Sequence, residues 1–175
     1  MNTKILLTSF QTWLPHQRSN SSNDILAEIE KCSFSADISL LFLKKLPVNI
    51  ELASQKVICE IECQKPDVVV CCGMAEKRDT LTIESNAFCH GHCLFTTVDL
   101  AQISKNLKIT KISNNAGKFV CEGLYYEVLN YIQFSHKDLR CIFVHVPLLN
   151  NSNLELIVKD FYSIILSLQE KLAEF

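Results

Sequence analysis

Three polar residues stand in apolar surroundings, and together they could break an acyl bond. Cys121 comes four residues after Asn114-Asn-Ala-Gly117, where a stretch opens that reads as a helix with Val120, Leu124, Val128 and Ile132 at four-residue steps. A thiol in the first turns of a helix feels the positive end of the backbone dipoles. That predicts a lowered pKa and the fastest-reacting thiol of the chain. His145 lies inside the run Arg140 to Leu149, and Glu84 ends the run Thr80 to Glu84. A sulfur nucleophile, an imidazole to move its proton and a carboxylate to orient the imidazole are the parts of a Cys-His-acid site. Taken singly, each has a plainer reading: a packing cysteine, a hydrogen-bonded core histidine and a salt-bridged surface glutamate.

A second cluster suggests different chemistry. Cys89-His-Gly-His-Cys93 offers two thiols and two imidazoles, donors that suit zinc or copper. Structural zinc sites draw ligand pairs from separated segments, and four donors this close strain a tetrahedron. The expectation is no metal, with Cys89, His90, His92 and Cys93 as the alternative set and a metal-responsive protein as the function they would serve. The other cysteines read mainly as small buried hydrophobes, Cys71, Cys72 and Cys141 among them, because the nine do not pair evenly and several sit within apolar runs.

Alternating elements must carry these residues. Lys4 to Phe10 reads as a buried strand, Ser21 to Cys32 as a helix capped by Asn23 or Asp24, and Leu40 to Val48 as a second strand. Asn49 is placed to cap a helix with Leu52, Val57, Ile58 and Ile61 inward, ending before Pro66. The run Asp67-Val-Val-Val-Cys-Cys-Gly73 has the unbroken apolarity of a strand buried on both faces. Thr97 to Lys105 reads as a short helix and Lys108 to Ile112 as a strand. The closing helix presents Leu154, Ile157, Val158, Phe161, Ile164, Ile165, Leu168 and Leu172 as one stripe. This alternation predicts one α/β domain over residues 1–175: a three-layer α/β/α sandwich around a largely parallel, mixed sheet. Sites in such sheets gather beyond the carboxyl ends of the strands, where Phe10, Gly73, Glu84 and His145 fall.

Composition narrows the partners. Lys+Arg total 17 against Asp+Glu 19, a formal charge of −2, so no basic field exists to neutralise nucleic-acid phosphates. The apolar runs are far too short to span a bilayer, and Ile5-Leu6-Leu7 is too short for a secretory core. The expectation is a soluble cytoplasmic protein with neither nucleic-acid nor membrane partner.

Several strings together resemble the pyrrolidone-carboxyl peptidase (pyroglutamyl peptidase type I) family. Ser113-Asn-Asn-Ala-Gly-Lys-Phe-Val-Cys121 is similar to its nucleophile segment, Phe143-Val-His-Val-Pro147 to its histidine segment, and the stretch from Gly73 through Arg78 to Ile83-Glu84 to its acid segment. Leu46-Pro47-Val48, Lys65-Pro-Asp-Val-Val and Thr8-Ser-Phe10 match further family strings in the same order. The resemblance implies an α/β/α hydrolase that removes N-terminal pyroglutamyl residues from peptides, needs no cofactor and admits a homo-oligomer. It makes Cys121 the nucleophile, His145 the base and Glu84 the orienter. Phe10, Trp13, Met74, Val120 and Asn20 become the substrate-binding positions.

The departures bear on efficiency. The family's glycine-rich loop after the first strand appears as Thr8-Ser-Phe-Gln-Thr-Trp-Leu-Pro15, with its three glycines gone. The arginine that follows the family's glutamate is Ser85, and a segment of several dozen residues after Glu84 shrinks to about ten. Two outcomes follow from these losses: a slow peptidase with weak substrate binding, or a non-catalytic relative that binds a small ligand or protein partner.

Overall fold

The computed structural model describes residues 2–135 and 138–169. The longest apolar runs become the inner strands. β1 (Thr3–Phe10), β3 (Val68–Met74) and β8 (Arg140–Val146) lie side by side, with β2 (Ile38–Leu46) outside β1. These four are parallel. Side chains alternate between the two faces. Leu6, Val69, Cys71, Cys141 and Phe143 enter one core; Ile5, Leu7, Val70, Cys72, Ile142 and Val144 enter the other. Helices α2 (Ile50–Gln64) and α4 (Val120–Ser135) cover the first face, while α1 (Ser21–Ile29), α3 (Leu100–Ser104) and α5 (Leu154–Gln169) cover the second. The expected α/β/α sandwich is therefore the fold.

The sheet is completed by two short strands that run the other way. β4 (Thr82–Glu84) pairs antiparallel with β8, and β7 (Lys111–Ser113) pairs parallel with β4, giving the order β2-β1-β3-β8-β4-β7. β5 (Asn86–Cys89) and β6 (His92–Phe95) form a separate hairpin packed on α4. Among the described residues no helix is long and apolar enough to cross a membrane.

Several element boundaries shift by a few residues from the sequence expectation, and a few details change. α1 is capped by Asn20, whose Oδ1 accepts the Ser22 N–H at 3.0 Å and its hydroxyl at 2.7 Å; Asn23 and Asp24 lie inside the helix. The Asn49 cap forms as expected, with Oδ1 2.9 Å from Leu52 N. Leu52 itself faces solvent, because the buried stripe of α2 runs through Ala53, Val57 and Ile61. The strand expected over 108–112 begins only at Lys111, since the N–H groups of Lys108, Ile109 and Thr110 are taken by the Asp160 carboxylate of α5. The stripe of α5 is buried from Ile157 to Leu168, and Leu172 lies outside the described residues.

Candidate active site

β3 and β8 bring the site together at their carboxyl ends. Their pairing sets Gly73 directly beside His145. Gly73 has no Cβ, and the space is occupied: a Cβ built there would lie 2.6 Å from Cys121 Sγ and 2.9 Å from Phe143 Cζ. The glycine thus lets the thiol of α4 settle onto the sheet at the rung that carries His145. Before α4, the chain turns through Gly117 at φ +101°, a left-handed conformation that favours glycine, with the Gly117 N–H held by Asn115 Oδ1 at 3.1 Å. This turn delivers Ala116, Phe119, Val120 and Cys121 to one wall.

The reversed direction of β4 explains how Glu84 takes part. Thr82 pairs with His145 and Glu84 with Phe143, so Glu84 lies deeper than the histidine, on the same face of the sheet. Its carboxylate reaches back one pleat, placing Oε1 2.8 Å from His145 Nδ1. Glu84 is therefore fully buried, although a residue ending a strand parallel to β8 would reach the exposed edge. Thr82 Oγ1 also bonds Oε1 at 3.1 Å, and the Arg78 guanidinium bonds both groups. Arg78 Nη2 donates to Asn115 O at 2.7 Å, joining the acid to the turn before the nucleophile. The Phe143 ring packs between Tyr125 and the His145 ring, at centroid distances of 5.6 and 4.8 Å, and the Tyr125 hydroxyl donates to Glu84 O at 3.1 Å. The imidazole is thus fixed by hydrogen bonding and by packing.

Electrostatics sets the resting protonation. Burial alone would raise the Glu84 carboxyl. Hydrogen bonds from His145 and Ser113, with the charges of His145 and Arg78, overcome it and hold the carboxyl below its ordinary value. Burial lowers His145 despite the bond and charge of Glu84, with the Arg78 charge acting in the same direction. Burial pushes the Cys121 thiol up to about 12, reinforced by Cys71 and Glu84 and only partly opposed by Arg78 and the Cys121 backbone N–H. The lowered thiol pKa expected from the helix position is therefore corrected: desolvation outweighs the helix end, and the two groups rest as a protonated thiol and a neutral imidazole lining one cavity.

Above this floor opens a cavity of about 280 Å³ lined by Phe10, Trp13, Asn20, Met74, Val120, Cys121 and His145. The five residues expected to bind substrate therefore line one space with the thiol and the imidazole, while Glu84 supports it from beneath. Sequence reasoning passed over Phe119, whose ring stacks on Trp13 with centroids 4.8 Å apart, and Gln17, Glu76 and Lys118 at the rim. Phe119 could have been found: it lies two residues before Cys121 in the matching string. Gln17 and Glu76 carried no such signal.

The Cys-His cluster belongs elsewhere. His90 and Gly91, at φ 47° and 81°, form the tight turn joining β5 to β6. Cys89 pairs with His92 and Phe88 with Cys93, so Cys89 and Cys93 point to opposite faces of the hairpin. Among the described residues no group of three or more His, Cys, Asp or Glu could hold a metal ion, and the alternative ligand set does not converge. All nine cysteines are free thiols; Cys71, Cys72 and Cys141 are buried as expected, whereas Cys32 is half-buried and Cys59 and Cys63 are exposed on the outer face of α2.

Fold and site define a class: an α/β/α protein that gathers a thiol, an imidazole and a buried carboxylate at the carboxyl edge of a mixed sheet. The family model described as pyroglutamyl peptidase matches residues 89–173, a stretch that includes Cys121 and His145. A pyrrolidone-carboxylate peptidase of Thermoanaerobacter sp. (strain X514) is 27% identical over 172 residues, covering 83% of this chain and 83% of the relative. Another from Brachyspira hyodysenteriae is 28% identical over 145 residues, covering 68% and 72%. In three dimensions, pyroglutamyl peptidase I from Bacillus amyloliquefaciens superposes with a TM-score of 0.83 at 20% identity, covering 98% of this chain and 97% of that one. A mutant pyrrolidone carboxyl peptidase from Pyrococcus furiosus gives 0.84 at 21% identity, covering 98% and 100%. The chain is similar in sequence and in fold to the pyroglutamyl peptidases.

Proposed function

We propose that this chain is a cysteine peptidase that releases an N-terminal pyroglutamyl residue from peptides, with Cys121 as nucleophile, His145 as proton carrier and Glu84 as orienter. One observation carries the reading: His145 Nδ1 is held 2.8 Å from the buried Glu84 carboxylate at the rung where Cys121 Sγ rests on Gly73, beneath a largely apolar cavity. With Nδ1 committed to Glu84, Nε2 is the nitrogen left to receive the thiol proton. At neutral pH a thiol raised to about 12 holds only about 1 part in 10⁵ as thiolate, so sulfur attack and proton transfer to His145 proceed together.

Sulfur bonds to the acyl carbon of the pyroglutamyl residue as its proton passes to His145. The tetrahedral intermediate collapses when His145 returns that proton to the leaving amine, leaving a thioester on Cys121. Water then gives a proton to His145 and attacks the thioester; sulfur leaves, and the proton returns to it. Phe119 supplies no side-chain acceptor at the start of α4, so the N–H groups of its first turn serve as donors to the oxyanion. Phe10, Trp13, Phe119 and Val120 offer flat and apolar surface to the lactam ring. The test is hydrolysis of a chromogenic pyroglutamyl amide with Cys121→Ala as control. Turnover that disappears in the control is expected; none above it would overturn the reading.

A further inference from the structure

The segment between β1 and α1 carries Trp13 to the cavity without a glycine, and one side chain holds it there. The Gln17 carboxamide has two unlike ends, and both are used. Oε1 accepts the N–H groups of Trp13 at 3.1 Å and Leu14 at 3.2 Å, while Nε2 donates to Glu76 Oε1 at 2.7 Å. Two N–H donors occupy the acceptor end, so the donor end must be the one facing Glu76. The Gln17 N–H closes the turn on Leu14 O at 3.0 Å. Glu76 lies just beyond β3, and His16 Nε2 approaches the same carboxylate at 3.2 Å. At the base of the segment, Asn20 Nδ2 bonds Gln11 O at 3.1 Å. Trp13 is therefore located through its backbone, while its ring, 52% exposed, stacks on Phe119.

We propose that Gln17 and Glu76 are a positioning pair that sets Trp13 against the cavity and thereby governs how tightly this site holds its substrate. The proposal rests on the peptidase reading above. Gln17 and Glu76 border the cavity, make no hydrogen bond to the thiol or the imidazole among the described contacts, and act through the Trp13 backbone. The pair does with side chains what a glycine-rich loop does with backbone angles: it defines one conformation for the segment that presents the aromatic ring.

A donor–acceptor exchange tests this. Gln17→Glu keeps the size of the side chain and its acceptor for Trp13 and Leu14, but removes the donor and sets two carboxylates together. Adding Glu76→Gln restores the match in reverse, the new carboxamide at 76 donating to the new carboxylate at 17. Trp13 is the only tryptophan of the chain, so acrylamide quenching of its fluorescence reads its position directly. In Gln17→Glu we expect quenching to increase and KM for a pyroglutamyl amide to rise about three- to tenfold, the loss falling on KM more than kcat. The double variant should recover both. Unchanged quenching and KM in the single variant, or no recovery in the double one, would overturn the proposal. If no form of the protein turns over substrate but the quenching pattern holds, the positioning pair stands and the peptidase reading falls.

Discussion

At the floor of the cavity, Cys121, His145 and Glu84 take their places from sheet register and burial, whereas along the rim Trp13 is placed by exchangeable polar side chains. The floor comes from the inner strands and the start of α4, where a shift of one residue would turn every side chain to the opposite face. The rim comes from a connecting segment tied to Glu76, with no strand pairing to define it. The difference separates two demands on the site. The groups proposed for bond breaking tolerate little displacement, while the surface that seats the substrate can be rebuilt with new contacts. The short segment after Glu84 fits this division: it folds as a hairpin against α4 and lines none of the cavity.

Substitution of Gly73 breaks the floor most directly. In Gly73→Ala the new Cβ meets Cys121 Sγ and the Phe143 ring at once, and the ring cannot swing away because it packs between Tyr125 and His145. The thiol must move. We expect kcat/KM on a pyroglutamyl amide to fall about 100-fold, with a stability loss of about 1–3 kcal/mol seen in thermal melts. Full activity would mean that the contact between sulfur and sheet does not set the nucleophile's position.

Removing the charge of Arg78 gives a smaller effect on the same floor. Two titratable groups act on His145, Glu84 from β4 and Arg78 from the turn before it; Cys121 lines the same cavity, and Glu76 pairs with His16 at its rim. The Arg78 charge favours neutral imidazole. In Arg78→Met the His145 value should rise, moving the acid limb of kcat/KM toward higher pH and lowering activity on that limb about three- to tenfold; Arg78→Lys should retain most of the wild-type profile. Histidine NMR titration checks the same shift without turnover. Stability follows the same groups. Glu84 and His145 both sit below their ordinary values of 4.5 and 6.5. The stability each contributes is present above its ordinary value and lost as pH falls through the folded one. The wild-type melting temperature should therefore begin to drop just below pH 6.5 and drop further below 4.5.

Much of this floor was legible in the sequence, and the reasons are physical. The unbroken apolar run of β3 and the helical periodicities of α4 and α5 are patterns that tertiary contacts only reinforce, and the strings around Cys121 and His145 pointed to which residues to bring together. The direction of β4 was not legible, because three residues carry no mark of parallel or antiparallel pairing. That direction is what buries Glu84. The hairpin was not legible either: His90-Gly91 is a less familiar turn pair than Asn-Gly, and the flanking strands have only four residues each. Gln17 and Glu76 are 59 residues apart, and no local pattern links them. The thiol pKa departs from expectation because helix position is visible in sequence whereas desolvation is not.

The balance between helix end and desolvation can be tested by thiol reactivity. Cys59 and Cys63 are exposed on α2, while the Cys121 sulfur rests against the sheet with its pKa near 12. Partial labelling with iodoacetamide near pH 7, mapped by mass spectrometry, should modify Cys59 and Cys63 before Cys121. The Cys121 rate should climb steadily as pH is raised. A Cys121 that leads at neutral pH would show that the helix end outweighs burial, and that the floor holds a preformed thiolate.

The smallest effect is expected at the hairpin, which separates structural support from the site. Gly91 holds φ at 81° in the turn between β5 and β6, and a Cβ there would meet nothing within 4 Å. The cost of Gly91→Ala is therefore one of backbone conformation alone, about 1 kcal/mol, equivalent to roughly 2–4 °C in melting temperature for a chain of this size. The hairpin's link to the floor runs through α4: Ala87 packs in the core with Val120 and Leu124, and Phe88 N bonds Glu122 Oε1 at 3.2 Å. Ala87 lies near the start of β5, and Phe88 is held at a strand position paired with Cys93, so local strain at the turn should not displace either contact. Activity on a pyroglutamyl amide should stay within about twofold of wild type once the protein is folded, because none of the positions that place substrate or thiol is moved. A larger fall in kcat/KM with unchanged melting behaviour would mean that the shortened segment acts on the site after all, and that the division between floor and rim omits a third wall.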